Sequence, residues 1–333
     1  MRKLLVIATV LAVIWGAYWL IGASAMEKAL KTWIADRQGE GWVAEYSALD
    51  TNGFPNRFDT TIEGLELADP DTGLAWAAPW FQILSLSYSP HHVIAVWPDT
   101  QTLATPNQRI KITTADMRGS VVLDVDTSLP LNRSSIVMER MELASSEGWT
   151  SSLKAAQLAT RQAVGGVNTY DLNFSATGFT PASSFVQSLE QDALLPPVID
   201  GMSIEATVSF DAPWDRFAIE RARPQVTRLD LQLLKADWGD LDLWMAGAMD
   251  VDADGVPTGE ITVKAKNWRE MVAIARVSGL LPAAMESTVI SALTFLSGLS
   301  GDPETLDAPL SLKNGRVYLG PFPVGAAPRI VIR

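Results

Sequence analysis

Apolar side chains follow two regimes in this chain: one unbroken run near the N-terminus, then short stretches in which they alternate with polar neighbours. From Leu4 to Ala25 the only ionisable side chain is Tyr18, and roughly 20 such residues suffice for a helix to cross a bilayer. Each aliphatic side chain of the run favours insertion by roughly 0.3 to 0.6 kcal/mol, with no charge at about 2.5 to 3.5 kcal/mol to oppose it. Arg2 and Lys3 precede the run and Glu27 and Lys28 follow it, so the positive-inside bias places the N-terminus in the cytoplasm and the bulk beyond the membrane. Trp15, Tyr18 and Trp19 lie towards its far end, where amphipathic rings favour the headgroup level. Ala23-Ser24-Ala25 also has the form of an A-x-A cleavage site, although secretory apolar regions usually span only about 7 to 15 residues. The length favours an uncleaved anchor, and a cleaved signal peptide remains the other reading.

Beyond the run, Met26, Leu30, Trp33, Ile34 and Arg37 keep helical spacing to about Asp36, with Gly39 and Gly41 as the stop. Period two then takes over. Thr61, Glu63, Leu65 and Leu67 alternate with Phe58, Thr60, Ile62 and Gly64, and Leu74 to Trp97 reads as two strands broken at Ser89-Pro90. Further strands are expected with Val121, Leu123 and Val125, with Ile204, Ala206, Val208 and Phe210, and with Leu229, Leu231 and Leu233 on their apolar faces. This is the pattern of antiparallel strands with one dry and one wet face. Asn52-Gly53, Asp254-Gly255 and Asn314-Gly315 supply turn chemistry. Three helices punctuate the sheet: one from Thr180-Pro181 to Leu195, one opened by an Asn267/Glu270 capping box and closed at Gly279, and one from Pro282 striped with Met285, Val289, Ala292, Leu293 and Leu296. A faint similarity between Tyr170 to Phe210 and Gly259 to Leu319 suggests two related lobes joined near Asp200-Gly201.

Composition narrows the function classes. A formal charge of −12 disfavours nucleic acid, which needs clustered Lys and Arg to displace counterions. The absence of cysteine removes disulfides, thiolate chemistry and Cys-ligated zinc. Asp250, Asp252 and Asp254 before Gly255 copy the first half of a calcium loop, but position 261, where the bidentate Glu belongs, is Ile261, so a solvated acidic hairpin tip is the expected reading. His91 and His92, the two histidines, are strand neighbours pointing to opposite faces, which suits neither a shared metal nor paired base chemistry. No nucleophile elbow, dinucleotide fingerprint or phosphate loop occurs, so neither an enzyme nor a cofactor is expected.

Gly53-Phe54-Pro55-Asn56-Arg57-Phe58-Asp59, Ala78-Pro79-Trp80, and Leu86-Ser87-Tyr88-Ser89-Pro90-His91-His92 continuing through Val93-Ile94-Ala95-Val96 to Trp97-Pro98 resemble the motifs of a bacterial family known as domain of unknown function 2125. The likeness spans nearly the whole chain and implies an uncleaved envelope anchor in Gram-negative-type cells, with no catalytic residue to transfer. The stretch from Asp254 through Leu310 to Pro323 is more loosely similar to the ends of AsmA-like inner-membrane-anchored proteins, which implies a long twisted antiparallel sheet able to form a groove for acyl chains.

The expected architecture is therefore α+β and mainly β: a long twisted antiparallel sheet with a few amphipathic helices, preceded by one transmembrane helix. The segments are 1–25 as anchor or signal peptide, 26–200 as one exported lobe, and 201–333 as a second carrying two C-terminal helices. The dry face must be covered, since each aliphatic side chain on it is worth roughly 1.5 to 3 kcal/mol when buried. Either the helices cover it, or an apolar groove remains, with Trp76, Trp80, Phe81, Leu84, Leu86, Val96 and Trp97 as candidate lining. Two functions follow: a periplasmic, inner-membrane-tethered protein that binds lipid or another apolar ligand in envelope maintenance, and a non-enzymatic scaffold that binds another envelope protein.

Overall fold

The fold is that of a computed structural model describing residues 1–189, 195–279, 281, 283–299 and 302–332. It is mainly β, with long antiparallel ladders, few helices and one N-terminal apolar helix long enough to span a membrane. The chain divides into two compact units, Met1–Leu123 with Ile136–Gly148, and Asp124–Ser135 with Trp149–Arg333.

The first unit opens with α1 (Arg2–Gly39), a single uninterrupted helix that carries the apolar run into the amphipathic segment behind it. Gly41 ends it with φ +92°, the left-handed conformation glycine adopts without steric cost. β1 (Val43–Glu45) and β2 (Ala48–Asn52) both lie along β3 (Arg57–Asp69), which pairs on its other side with β4 (Leu74–Leu86). β5 (Ser89–Val96) pairs with the last residues of β4, and β6 (Thr100–Ala104) pairs with its first. β7 (Arg109–Thr113), β8 (Asp116–Leu123) and the later part of β9 (Leu131–Ser145) complete the unit, β8 on β5 and β9 on β7. Ile34 of α1 packs into a core of Ala44, Leu49, Ile62 and Leu65.

Three local features depart from the alternation expected from sequence. Phe58, Thr60 and Ile62 are buried on β3, but the next buried residue is Leu65. Gly64, at φ +58°, shifts the phase there, and the pairing with β4 skips Gly64 and Pro79. The break in Leu74 to Trp97 falls at Ser87-Tyr88, leaving Pro90 inside β5 beside an irregular register where no ladder bond is demanded of it. Val125 lies beyond the end of β8 and is exposed, because Asp126 caps a turn by accepting from the Ser128 backbone N–H at 2.9 Å.

The second unit is an antiparallel meander of β10 (Thr150–Gln162), β11 (Thr169–Thr180), β12 (Ile199–Phe210), β13 (Val226–Trp238), β14 (Leu241–Val251), β15 (Pro257–Lys266), β16 (Thr305–Lys313), β17 (Arg316–Leu319) and β18 (Phe322–Ala326). Asp200 and Gly201 lie within β12. The helices α2 (Ser183–Leu189), α3 (Arg216–Glu220), α4 (Trp268–Val277) and α5 (Ala283–Leu299) interrupt the meander. α2 starts after the expected Pro181, whose own side chain is buried, and the expected continuation over 190–194 lies outside the described residues, as does Pro282. Asn267 does not form the expected capping box. Its backbone is left-handed at φ +56°, and its side-chain amide donates to the Asp240 carbonyl at 2.6 Å. On β13 a register shift between Leu231 and Leu234 moves Leu234, not Leu233, onto the apolar face.

Candidate functional site

The apolar face of the second unit is covered from two directions. α4 and α5 lay Trp268, Val272, Val289 and Leu293 on Ala265, Leu306, Ala308 and Leu319. Farther along, Ala206, Leu231, Met249, Ile261 and Leu312 form a cluster reached by Ala327 and Ile330 of the C-terminal segment, which is pinned where the Ile330 N–H donates to the Gly255 carbonyl at 2.8 Å.

Neither cover closes the start of β11. A hollow of about 210 Å³ remains there, lined by Leu131, Ser134, Thr160, Tyr170, Leu172, Val208, Phe210 and Trp214. The strands explain the lining. Tyr170 and Leu172 are two apart on β11 and Val208 sits opposite Tyr170 on β12, so all three share a face. Phe210 then stacks edge-on against Tyr170 at 6.0 Å and against Trp214 at 5.6 Å. The hydroxyls at the rim are satisfied: those of Ser134 and Thr160 bond each other at 2.8 Å, and the Tyr170 hydroxyl donates to the Leu131 carbonyl at 3.2 Å. Burial pushes the Tyr170 phenol above its ordinary pKa, and Asp124 and Asp215 add to the rise. It stays neutral at physiological pH, and the hollow offers an apolar ligand contact without a charge.

The residues singled out from sequence lie elsewhere, in the first unit, and separate into two files. Trp76, Phe81 and Trp97 form an aromatic row with ring centroids 5.6 and 5.3 Å apart. Trp76 and Phe81 pack on the core beneath α1, and the Trp76 indole donates to Gln101 Oε1 at 2.7 Å. Trp76 and Phe81 differ in strand parity yet share a face because of the phase shift opposite Gly64. Trp80 and Leu84 alternate with Phe81 and so take the opposite face, where Val96 joins them across from Gln82. Leu86 is exposed near the turn. The Asp250, Asp252 and Asp254 group is a hairpin tip: Asp250 pairs with Arg228 at 2.9 Å, and one Asp252 carboxylate oxygen accepts the Asp254 and Val256 N–H groups. His92 bonds Ser120 at 2.9 Å, and His91 lies 3.5 Å from Ser89.

A third feature joins α1 to the sheet. The Trp15 indole donates to the Pro55 carbonyl at 3.0 Å, the Tyr18 hydroxyl to the Ser87 carbonyl at 2.5 Å, and the Trp19 indole to the Arg57 carbonyl at 2.7 Å. Trp19, Ala23 and Phe58 form a small buried cluster. A turn farther on, the Glu27 carboxylate accepts the Thr51 N–H at 3.0 Å. Sequence reasoning placed Trp15, Tyr18 and Trp19 at a membrane surface and had no signal for their carbonyl partners.

Comparison with known proteins identifies one family, described as uncharacterised proteins conserved in bacteria (DUF2125), whose model matches residues 19–328. No curated protein matches, and no solved structure matches. The match starts at Trp19 and takes in Ala23-Ser24-Ala25. The chain belongs to the DUF2125 family.

Proposed function

We propose that the chain is a single-pass protein of the bacterial inner membrane, with a cytoplasmic N-terminus and a periplasmic body, that binds a lipid acyl chain or comparable apolar ligand on its second unit without a cofactor or a chemical step. The observation that carries this reading is the hollow at Tyr170, Leu172, Val208, Phe210 and Trp214. The Ser134, Thr160 and Tyr170 hydroxyls at its rim are satisfied, so an apolar occupant strands none of them. At about 210 Å³ it falls below the roughly 300 to 1,000 Å³ of pockets that enclose a whole drug-sized ligand, which suits the tail of a chain better than an entire lipid. The loose AsmA-like resemblance of the C-terminal stretch points the same way. Orientation rests on Arg2 and Lys3 ahead of the apolar run, and retention of the helix rests on the bonds that tie Trp15, Tyr18 and Trp19 to the sheet.

The test uses the full chain in native membranes and a diazirine-bearing fatty acid. Labelled peptides should map to the strands around Leu172 and Val208, and Val208→Trp, which fills the hollow, should abolish the labelling while the fold is kept. Labelling that is absent, or unchanged in Val208→Trp, would defeat the reading. A stable protein partner recovered without lipid would favour the scaffold instead.

A further inference from the structure

The free part of α1 is too short for a bilayer. Charge ends at Lys3, and the first side chain bonded to the sheet is Trp15. The uncharged helix between them, Leu4 to Ile14, is about 17 Å long at 1.5 Å per residue, against a hydrocarbon core of about 30 Å. Even the shortest spanning helices, about 17 residues, carry the lipid level from Leu4 past Trp15 and Tyr18 to about Leu20. The helix surface agrees with that requirement. Leu20 and Ile21 are 62% and 70% exposed, an apolar surface that suits lipid.

The folded end beside that turn must then enter the membrane too. Two loops meet there, the β2–β3 connection at Gly53–Asn56 and the β4–β5 turn at Ser87-Tyr88. Phe54 stacks edge-on against Trp19 at 5.5 Å, and Ser87 contacts Tyr18, so both loops flank the Trp15 to Trp19 turn. Yet Phe54 and Tyr88, in the loops, remain 61% and 66% exposed, and Leu86, at the end of β4, is 38% exposed, large apolar side chains that the protein covers only in part.

Irregular backbone is tolerated in hydrocarbon only when its polar groups are satisfied within the protein. These loops meet that condition at several atoms. The Pro55 carbonyl accepts from the Trp15 indole and the Ser87 hydroxyl. The Asn56 carbonyl accepts the Ser87 N–H, the Gly53 carbonyl accepts the Arg57 N–H, and the Ser87 carbonyl accepts the Tyr18 hydroxyl. Arg57, whose carbonyl receives the Trp19 indole, keeps its guanidinium paired with the Asp59 carboxylate at 3.0 Å, and a long side chain of this kind can snorkel towards headgroups.

We infer that Phe54 and Tyr88 form a membrane-inserted tip: the two loops at this end of the first unit dip into the outer part of the same bilayer that α1 crosses, and together with Leu4 to Ile21 they complete the apolar thickness that the free part of the helix lacks. This rests on α1 spanning a bilayer and is independent of any ligand in the second unit.

The sequence contains no cysteine, so single nitroxide labels can be placed at Phe54→Cys, Tyr88→Cys and, as a control, Asp71→Cys, with the full chain in phosphatidylglycerol/phosphatidylethanolamine vesicles. Asp71 lies in the turn at the far end of the β3–β4 hairpin, about 40 Å away along strands that rise roughly 3.3 Å per residue. The inference predicts that labels at 54 and 88 lose accessibility to a water-soluble nickel chelate and gain it to dissolved oxygen, while the label at 71 does the reverse. Both substituted residues are exposed, so the fold should survive, and a circular dichroism spectrum matching the unmodified chain verifies that. Water-type accessibility at either 54 or 88 overturns the inference.

Discussion

Trp19 gives its indole N–H to the Arg57 carbonyl at 2.7 Å, so a residue of the apolar N-terminal helix is also a fixed part of the sheet. With Ala23 and Phe58 it forms a buried cluster, and the apolar run of α1 and the folded body overlap at this point of the helix.

Removing that side chain should unfold more than a tether. Trp19→Ala leaves a cavity and orphans the junction, and large aromatic truncations of this kind cost about 3 to 5 kcal/mol. Leu11, by contrast, is 61% exposed, and Leu11→Ala should leave the melting temperature unchanged. Thermal melts in detergent micelles measure both, and equal melting temperatures for the two variants would mean the Trp19 contact carries no stability.

Gly22 makes a sharper steric prediction. A Cβ there would lie 2.5 Å from the Phe58 ring, closer than carbon atoms approach. Gly22→Val should therefore push Phe58 out of its site and destabilise the first unit by about 1 to 3 kcal/mol, the usual range for overpacking. Gly39, where an added Cβ meets nothing, is the matched control.

Glu270 should make stability pH-dependent. Its Oε2 is buried without a partner among the described residues, and burial, then the charges of Asp240 and Glu304, raise its pKa above the ordinary 4.5. A carboxyl whose folded pKa is raised holds its proton more tightly folded than unfolded, so the folded state loses stability as pH rises above the unfolded value. Glu270→Gln should accordingly raise the melting temperature at pH 7 and leave it nearly unchanged below about pH 4, where the carboxyl is protonated in both states. A gain that is equal at the two pH values would point to a cause other than ionisation.

The elements most legible in the sequence were those with a long, unmixed signal. The helix Arg2–Gly39 and its glycine stop followed from Leu4 to Ala25 and Gly41, and the asparagine and aspartate-glycine turns followed from local backbone preference. Phase was harder to read. A single left-handed Gly64, or the irregular pairing between Leu231 and Leu234, reverses which residues face inward without changing composition, because strand faces alternate with a period of two. The Asn267 cap failed for a tertiary reason: the Glu304 carbonyl, distant in sequence, takes the backbone N–H that Glu270 would accept, and the Asp240 carbonyl holds the side-chain amide. The hollow at Tyr170 and Trp214 was not legible either, since it joins β11, β12 and the segment before α3 through pairings that no local pattern encodes.

The central claim is that the N-terminal helix remains in the mature protein as both membrane span and part of the fold. Intact-mass measurement of the chain purified from membranes tests it most directly. The account predicts a mass that retains the residues from Trp15 to Ala25. A mature chain beginning at Met26 would contradict it.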